Sequence, residues 1–473
     1  MRGPAGWHTL QPMDSPDRSR STAALLEAAA QRAGRYLATL DERPVEADPA
    51  AVARLRAFAA QALPAEGWTP DAVLEHLDGL GSPATVASAG PRYFGFVTGG
   101  ALPAALAASV LLSAWDQNGF GSRSSPVSAI LEEAALRWVL EALELPEGCG
   151  GAFTTGATMA NFAGLAAARH SLLARAGWDV ERDGLFGAPE LRVLVGGEAH
   201  PTVAKALALL GLGRERVERV AVDDQGRLRA DRLPALDGRT LVCLQAGNVN
   251  SGAFDPFAAV CERAREAGAW VHVDGAFGLW ARATPARAAL AAGVEGADSW
   301  ATDAHKWLNT TYDCGIALVR DPQALRDTVT FRAPYLTMEE TRQPVDYTPE
   351  SSRRARGVET WAVLASLGRA GLSDLVERCC RHARRFADGL ASAGYEILND
   401  VVLNQVVVRF GDDAFTDRII AEIQREGTCW CGPTEWRGGR AMRISVSSWA
   451  TRPEDVERSL AAILRVARSA GNA

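Results

Sequence analysis

Lysine is nearly absent from this sequence. Arginine supplies almost all of the basic residues, and the only lysines are Lys205 and Lys306. Lys306 lies in Ala301-Thr302-Asp303-Ala304-His305-Lys306-Trp307-Leu308-Asn309, an apolar and aromatic stretch. Burial strips lysine of its proton, and a neutral lysine is a nucleophile that can form a Schiff base. A lysine whose stem lies on apolar surface with its ammonium in water fits the local sequence equally well. Three other segments carry chemistry. Gly151-Ala152-Phe153-Thr154-Thr155-Gly156-Ala157-Thr158 leads into a helix expected near Met159. Small residues there bare backbone N–H groups, and the helix dipole favours an anion. No Gly-Lys-Ser/Thr follows, so this is not a P-loop, and a plain small-residue N-cap is the other reading. Asp274 ends the apolar run Ala269–Val273. A buried carboxylate needs a partner, which a pyridinium N–H, a buried cation or a helix start would each supply. His200, in Glu198-Ala199-His200-Pro201, either stacks on a planar ligand or is a satisfied structural histidine.

Jointly the four segments say more than any one. An anion cradle, two strand-end side chains and a buried amine in one domain suit pyridoxal phosphate. The phosphate would sit at the helix start, Asp274 would bind the ring nitrogen and Lys306 would form the Schiff base.

The elements that must position these groups read as follows. Apolar strand candidates are Leu191–Val195, Val217–Val222, Thr240–Leu244, Ala269–Val273 and Gly315–Val319, with helical segments Val203–Leu212 and Phe257–Ala267 between them and Thr158–Ala176 ahead of them. Alternation of this kind predicts an α/β domain with a mainly parallel sheet covered on both faces, and ligands at the carboxyl ends of its strands. Ahead of it, residues 1–20 are polar and expected to be disordered. Helices are expected over Ser21–Leu40, Pro49–Leu63 and Pro70–Leu80, the last capped by Thr69. They are too short and alanine-rich to form a core alone. Gly90–Gly100 mixes aromatics with glycines, as a core turn or an aromatic-lined binding wall would. Arg332–Arg356 reads as a long loop, followed by a long helix over Gly357–Ala393. Strand candidates Val401–Phe410 and Ala441–Val446, the helix Asp412–Arg425 and a last helix Pro453–Ser469 capped by Thr451 complete a small α+β domain. The expected organisation is thus 1–20 disordered, 21–89 helical, 90–345 a large α/β domain and 346–473 the small one.

Composition excludes several classes. A formal net charge of −7 offers no broad basic field for nucleic acid. The longest nearly apolar run, Ala101–Trp115, is too short for a membrane span and contains Pro103. Met1–Arg20 lacks the basic-then-apolar pattern of a signal peptide. Eight scattered cysteines and seven histidines form no metal motif, and reduced cysteines in a cytoplasmic protein are expected.

With these residues in view the chain resembles the group II pyridoxal-phosphate-dependent decarboxylases, the family of aromatic-L-amino-acid and glutamate decarboxylases. The resemblance runs from about Ser21 to Ala467. It is carried by His305-Lys306-Trp307-Leu308 with Asp313-Cys314 downstream, by His272-Val273-Asp274-Gly275-Ala276-Phe277-Gly278, and by Gly151–Thr158 followed by Ala166-Ala167-Ala168-Arg169. It implies a type I aminotransferase-like fold, a homodimer with sites at the subunit interface, and N-terminal helices wrapped on the partner. It implies Lys306 as the Schiff-base lysine, Asp274 at the pyridine nitrogen, His200 and Ala276 on the two ring faces, and Gly156, Ala157 and Thr158 at the phosphate with His305 nearby. Phe96, Val97 and Thr98 match its aromatic-lined substrate wall, and Gly119-Phe120 a segment contributed across the dimer. Asp346-Tyr347, ahead of Arg353, Arg354 and Arg356, resembles a catalytic loop whose tyrosine returns a proton; the arginines are equally a solvated helix start.

There are departures. Gln245 replaces a usual threonine, Asp303 replaces a usual asparagine near the phosphate, and the loop between Tyr347 and Arg353 is short. The implied reaction is decarboxylation of an L-amino acid, aromatic or bulky, to its amine. Oxidative deamination, aldol-type cleavage and transamination on the same fold stay open, and a non-catalytic scaffold is the remote alternative. Arg443 could bind a substrate carboxylate or be structural.

Overall fold

A computed structural model describes residues 15–330 and 341–471. The chain divides after Ala87 into two compact units. The first holds the helices Ser15–Ala38, Pro49–Ala59 and Pro70–His76. Two start on caps: Asp48 accepts from the Ala50 N–H at 2.9 Å and Thr69 from the Ala72 N–H at 3.3 Å. The first helix begins at Ser15, ahead of the expected start at Ser21 and inside the stretch expected to be disordered. Residues 1–14 lie outside the described residues.

The second unit is built on a seven-stranded sheet: β1 (Gly150–Thr154), β2 (Arg192–Gly196), β3 (Glu218–Val220), β4 (Thr240–Gln245), β5 (Trp270–Asp274), β6 (Ser299–Asp303) and β7 (Gly315–Val319), in the order β1-β7-β6-β5-β4-β2-β3. Only β7 runs against its neighbours; every other pairing is parallel. All residues of β4 to β7 are buried, as a sheet covered on both faces requires. The mainly parallel α/β architecture expected from the sequence is therefore the one observed. Two of its strands, β1 and β6, are not among the apolar candidates, because glycine, serine, threonine and aspartate break their apolar character.

A second, antiparallel sheet follows the order β10-β11-β9-β8, with β8 (Glu396–Ile397), β9 (Gln405–Arg409), β10 (Gly432–Trp436) and β11 (Gly439–Ser445). β10 carries Pro433 and lies at the edge, where a missing N–H costs no ladder bond. The helix Arg356–Ser392 packs against Pro103–Trp115, Pro126–Ala142, Pro453–Gly471 and β9. It is broken at Gly368, whose backbone (φ 58°, ψ −174°) is not helical. Both sheets belong to the second unit. Thr451 does not cap the last helix through its side chain; its hydroxyl donates to the Pro91 carbonyl at 2.8 Å.

Candidate active site

β4, β5 and β6 end side by side, with Gln245 opposite Asp274 and Asp274 opposite Ala301. Their carboxyl ends open into a cavity of about 400 Å³. Its lining brings together Lys306, Asp274, His200, Ala276, His305, Gly156, Ala157, Thr158, Phe96 and Val97.

Lys306 follows β6 in a tight turn. Its Nζ lies 2.9 Å from Asp303 Oδ2. Asp303 Oδ1 accepts from the Ala157 N–H at 2.6 Å. So Asp303 does not point away from the anion cradle: it takes up one of the cradle's own donors. The helix Ala157–Arg175 that presents this donor has Gly156 as its N-cap and no side-chain cap bond. His305 accepts the Cys314 N–H on Nδ1 at 3.0 Å, leaving Nε2 to face Asp303 Oδ1 at 3.7 Å. Burial holds the His305 imidazole below its ordinary pKa.

Asp274 is 5% exposed and accepts the Ala276 N–H at 3.2 Å. Burial pushes its carboxyl up; nearby His200, Lys306 and the Asn161 amide oppose this. His200 is the N-cap of the helix Pro201–Leu209, so the structural reading of this histidine holds as well as its place in the cavity. Its Nδ1 accepts from the Thr202 N–H at 3.3 Å, which leaves the proton of the neutral ring on Nε2. Burial lowers its pKa, against the pull of Asp274.

The wall is aromatic. Phe96 is 64% exposed at the cavity and lies 5.4 Å from Trp430, which stacks on Tyr93 at 5.0 Å. Phe96 and Val97 both hold left-handed backbone, φ 53° and 60°. For the branched Val97 this is strained and persists because neighbours fix it. One of them is Gly99, where a Cβ would stand 1.8 Å from the Lys306 carbonyl oxygen. Only glycine lets the wall approach the lysine turn this closely.

Other expected residues lie elsewhere. Thr98 is buried and off the cavity, its N–H on the Gly95 carbonyl at 3.0 Å. Phe120 is also off it, its carbonyl accepting from the Val345 N–H at 3.0 Å. Tyr347 ends the short helical turn Pro344–Tyr347, packs on the core beside the helix Ala157–Arg175, and has the Arg342 guanidinium 4.5 Å above its ring. Residues 331–340 of the expected loop lie outside the described residues. The arginines after Tyr347 are not a solvated helix start. Arg353 is paired with Glu132 at 2.7 Å, Arg354 with Glu359 at 2.7 Å and Arg356 with Asp313 at 2.9 Å.

Thr202, Gly247 and Val249 line the cavity with no signal in the sequence that places them there, and Thr155 and Phe277 line it from within the segments Gly151–Thr158 and His272–Gly278. Gln245 and Arg443 line it too. Gln245 donates to the Glu198 carbonyl at 3.0 Å, and Arg443 to the Val249 carbonyl at 3.1 Å. Burial pushes the Arg443 guanidinium below its ordinary pKa. No group of three or more metal-ligating side chains occurs among the described residues.

The donor set fits pyridoxal phosphate. A primary amine, a buried carboxylate, an imidazole, a small residue and a helix N-terminus with no cap from its own N-cap residue line one cavity, and they match an aldehyde, a ring nitrogen, two ring faces and a phosphate, with Asp303 on one of that terminus's donors.

Known proteins agree with this fit. Residues 54–410 match the pyridoxal-dependent decarboxylase conserved domain. The acidic amino acid decarboxylase GADL1 of Mus musculus is 29% identical over 323 residues, 65% of this chain and 58% of that protein. Tryptophan decarboxylase 1 of Oryza sativa subsp. japonica is 30% identical over 344 residues, 67% of this chain and 66% of that protein. The match thus spans less than two thirds of either relative. A crystal structure of Oryza sativa TDC with PLP and tryptamine has a TM-score of 0.88 at 25% identity, over 98% of this chain and 99% of that one. The matched stretch takes in every residue lining the cavity except Arg443, and the chain belongs to the pyridoxal-dependent decarboxylase family.

Proposed function

We propose that this protein decarboxylates an L-amino acid with an aromatic or bulky side chain, with Lys306 as cofactor anchor and Asp274 at the ring nitrogen. The observation that carries the reading is that Lys306, Asp274, His200 and Ala276 all line one cavity at the carboxyl ends of β4 to β6. Pyridoxal phosphate, when bound, supplies an electron sink for the pair left on Cα as CO₂ departs. The residues do the rest. Lys306 Nζ lies 2.9 Å from Asp303, and acts as a nucleophile only as the free amine. Gly156, Ala157 and Thr158, with His305, would hold the phosphate. Asp274 would pair with the ring nitrogen and favour its protonated form. His200 and Ala276 would flank the ring. Arg443 would hold and orient a substrate carboxylate. A low-pKa imidazole readily gives up a proton it has taken, and His200 lines the cavity while Tyr347 does not. Within one chain this supports His200 as the group that returns a proton to Cα.

Phe96, Val97, Val249 and Phe277 support an apolar side chain on the substrate. Arg443 supports a second reading, an acidic substrate whose side-chain carboxylate it would bind. We also propose a homodimer. The first unit exposes Leu26, Leu37, Trp68, Val73 and Leu77, and the helix Pro103–Trp115 exposes Val110, Leu111 and Trp115. Phe120, off this chain's cavity, would then be contributed across the subunit boundary. All eight cysteines are free and buried, which suits a reducing, cytoplasmic setting. No helix among the described residues is long and apolar enough to cross a membrane.

The test is CO₂ release from carboxyl-labelled aromatic, aliphatic and acidic L-amino acids with added cofactor. Label and a stoichiometric amine are expected from an aromatic or bulky member. Release from acidic members alone would favour the second reading. An aldehyde in place of the amine would point to oxidative deamination, and no release at all would refute decarboxylation.

A further inference from the structure

Behind Asp274, off the cavity, lies a run of buried polar side chains. His272 precedes Asp274 by two residues on β5, so both project from the same face of the strand. Ser299 stands opposite His272 on β6. Asn161 comes from the helix Ala157–Arg175. Trp270 Nε1 donates to Ser299 Oγ at 2.9 Å. Ser299 Oγ is 2.8 Å from His272 Nδ1, and His272 Nε2 is 2.8 Å from Asn161 Oδ1. His272, Ser299 and Asn161 have no measurable exposure. The ring of His272 lies against Gly164, where a Cβ would come within 2.8 Å of it, so glycine is what lets the histidine reach Asn161.

The direction of this run is set at both ends. An indole N–H only donates, so Ser299 Oγ accepts from Trp270 and its own hydrogen goes to His272 Nδ1. Burial pushes the His272 pKa down to about 3, so the ring is neutral and its one proton sits on Nε2. Nε2 therefore donates to Asn161 Oδ1, and the Asn161 amide N–H group is left facing the other way. At the far end an ionised Asp274 can only accept, so that same N–H would suit it. Asn161 Nδ2 is buried and makes no full hydrogen bond among the described residues. It is near enough to Asp274 to favour the charged carboxylate. An amide donor left without an acceptor is costly, and an ionised Asp274 is the acceptor at hand.

We infer that Ser299, His272 and Asn161 form a hydrogen-bond relay of fixed direction that presents the Asn161 amide to Asp274, holding that carboxylate ionised and aimed at the cofactor's ring nitrogen. They are positioning residues for the reaction proposed above, and the inference rests on that reading. Burial alone drives Asp274 toward its neutral form, and a neutral carboxyl would not hold a proton on a pyridine nitrogen. The relay opposes that drift with a neutral donor, alongside the larger pull of His200 and Lys306.

The experiment is equilibrium binding, followed by absorbance, of pyridoxal 5'-phosphate and of its analogue with carbon in place of the ring nitrogen. Asn161→Leu and His272→Leu are expected to lose affinity for the natural cofactor by about tenfold, the scale of one charge-assisted hydrogen bond. They are expected to lose less than about twofold for the analogue, which asks nothing of Asp274. His272→Gln keeps an N–H at Asn161 Oδ1 and should bind the cofactor nearly as the wild type does. Ser299→Ala removes one hydroxyl, keeps the fold if the leucine variants do not, and should show a several-fold loss for the natural cofactor alone. Equal losses for both ligands, or no loss in any variant, would overturn the relay. So would a wild type that does not distinguish the two ligands. A wild type that binds neither would overturn the decarboxylase reading instead.

Discussion

Removing Glu132 should cost the fold far more than removing a glutamate from an exposed pair of better geometry. Glu132 Oε2 lies 2.7 Å from Arg353 Nη2, and its Oε1 3.2 Å from Arg342 Nη1. The side chains of Glu132 and Arg353 are 2% and 1% exposed, and that of Arg342 is 16% exposed. Arg353 also donates to the Phe153 carbonyl at 3.0 Å and Arg342 to the Gly151 carbonyl at 2.6 Å. The carboxylate therefore ties the helix Pro126–Ala142 to β1, the strand that delivers the helix start at the cavity. Glu132→Leu leaves the Arg353 guanidinium dry and unpaired, and removing one partner of a buried pair costs ~3–5 kcal/mol. Arg342 adds little, since water reaches it. The control is Glu457, bound in a fork by Arg385 at 2.6 and 2.7 Å but about half exposed; its loss should cost ~1 kcal/mol or less. Denaturant unfolding of Glu132→Leu and Glu457→Leu, read at the midpoint, makes the comparison. Glu132→Leu combined with Arg353→Met should recover part of the loss, because no charge is then stranded. A Glu132→Leu cost within ~1 kcal/mol of the control would refute this account.

Two further predictions follow from local electrostatics. Asp303→Asn withdraws a negative charge from the helix start while leaving an acceptor for the Ala157 N–H, so affinity for pyridoxal phosphate should rise on the order of tenfold, ~1.4 kcal/mol. Unchanged or weaker binding in a spectral titration would count against a phosphate at Gly156–Thr158. His170 Nδ1 lies 2.6 Å from Glu181 Oε2, and that hydrogen bond raises the imidazole above its ordinary value of 6.5. The stability this contributes is fully present below that value and is lost as the pH rises through the raised one. The gap in melting temperature between wild type and His170→Gln should therefore shrink as the pH rises above about 6.5, and a gap that widens would reverse the assignment.

Lys306, Asp274 and His200 are legible in the sequence because each is chemically costly where it stands: a rare lysine among apolar residues, a carboxylate at the end of an apolar run, an imidazole at a strand exit. β1 and β6 are not, because period and apolarity are weak guides to strands buried through hydrogen bonds. Ser299 and Asp303 both lie on β6 and are almost wholly inaccessible, yet both are polar. Asn161 is hidden for the same reason, as a lone amide in a helix of small residues reads as a solvated position. Thr98, Phe120 and Tyr347 illustrate a different limit. Resemblance carries a position along the chain, but packing decides which way its side chain points, and in this chain none of the three lines the cavity.

Asn309 gives the close approach at Gly99 a mechanical meaning. Its carbonyl accepts from the Leu102 N–H at 2.9 Å, its amide donates to Trp307 at 2.8 Å and to Ser447 at 3.0 Å, and its side-chain oxygen accepts from the Trp449 N–H at 2.9 Å. One residue thus rivets the aromatic wall, the lysine turn and the segment leaving the small sheet, and Gly99 leaves no slack between the first two. A hinge at this corner would have to break these bonds together. On the function proposed above, exchange of side chains such as Phe96 or Arg443 on the same frame is then the shorter route to another substrate.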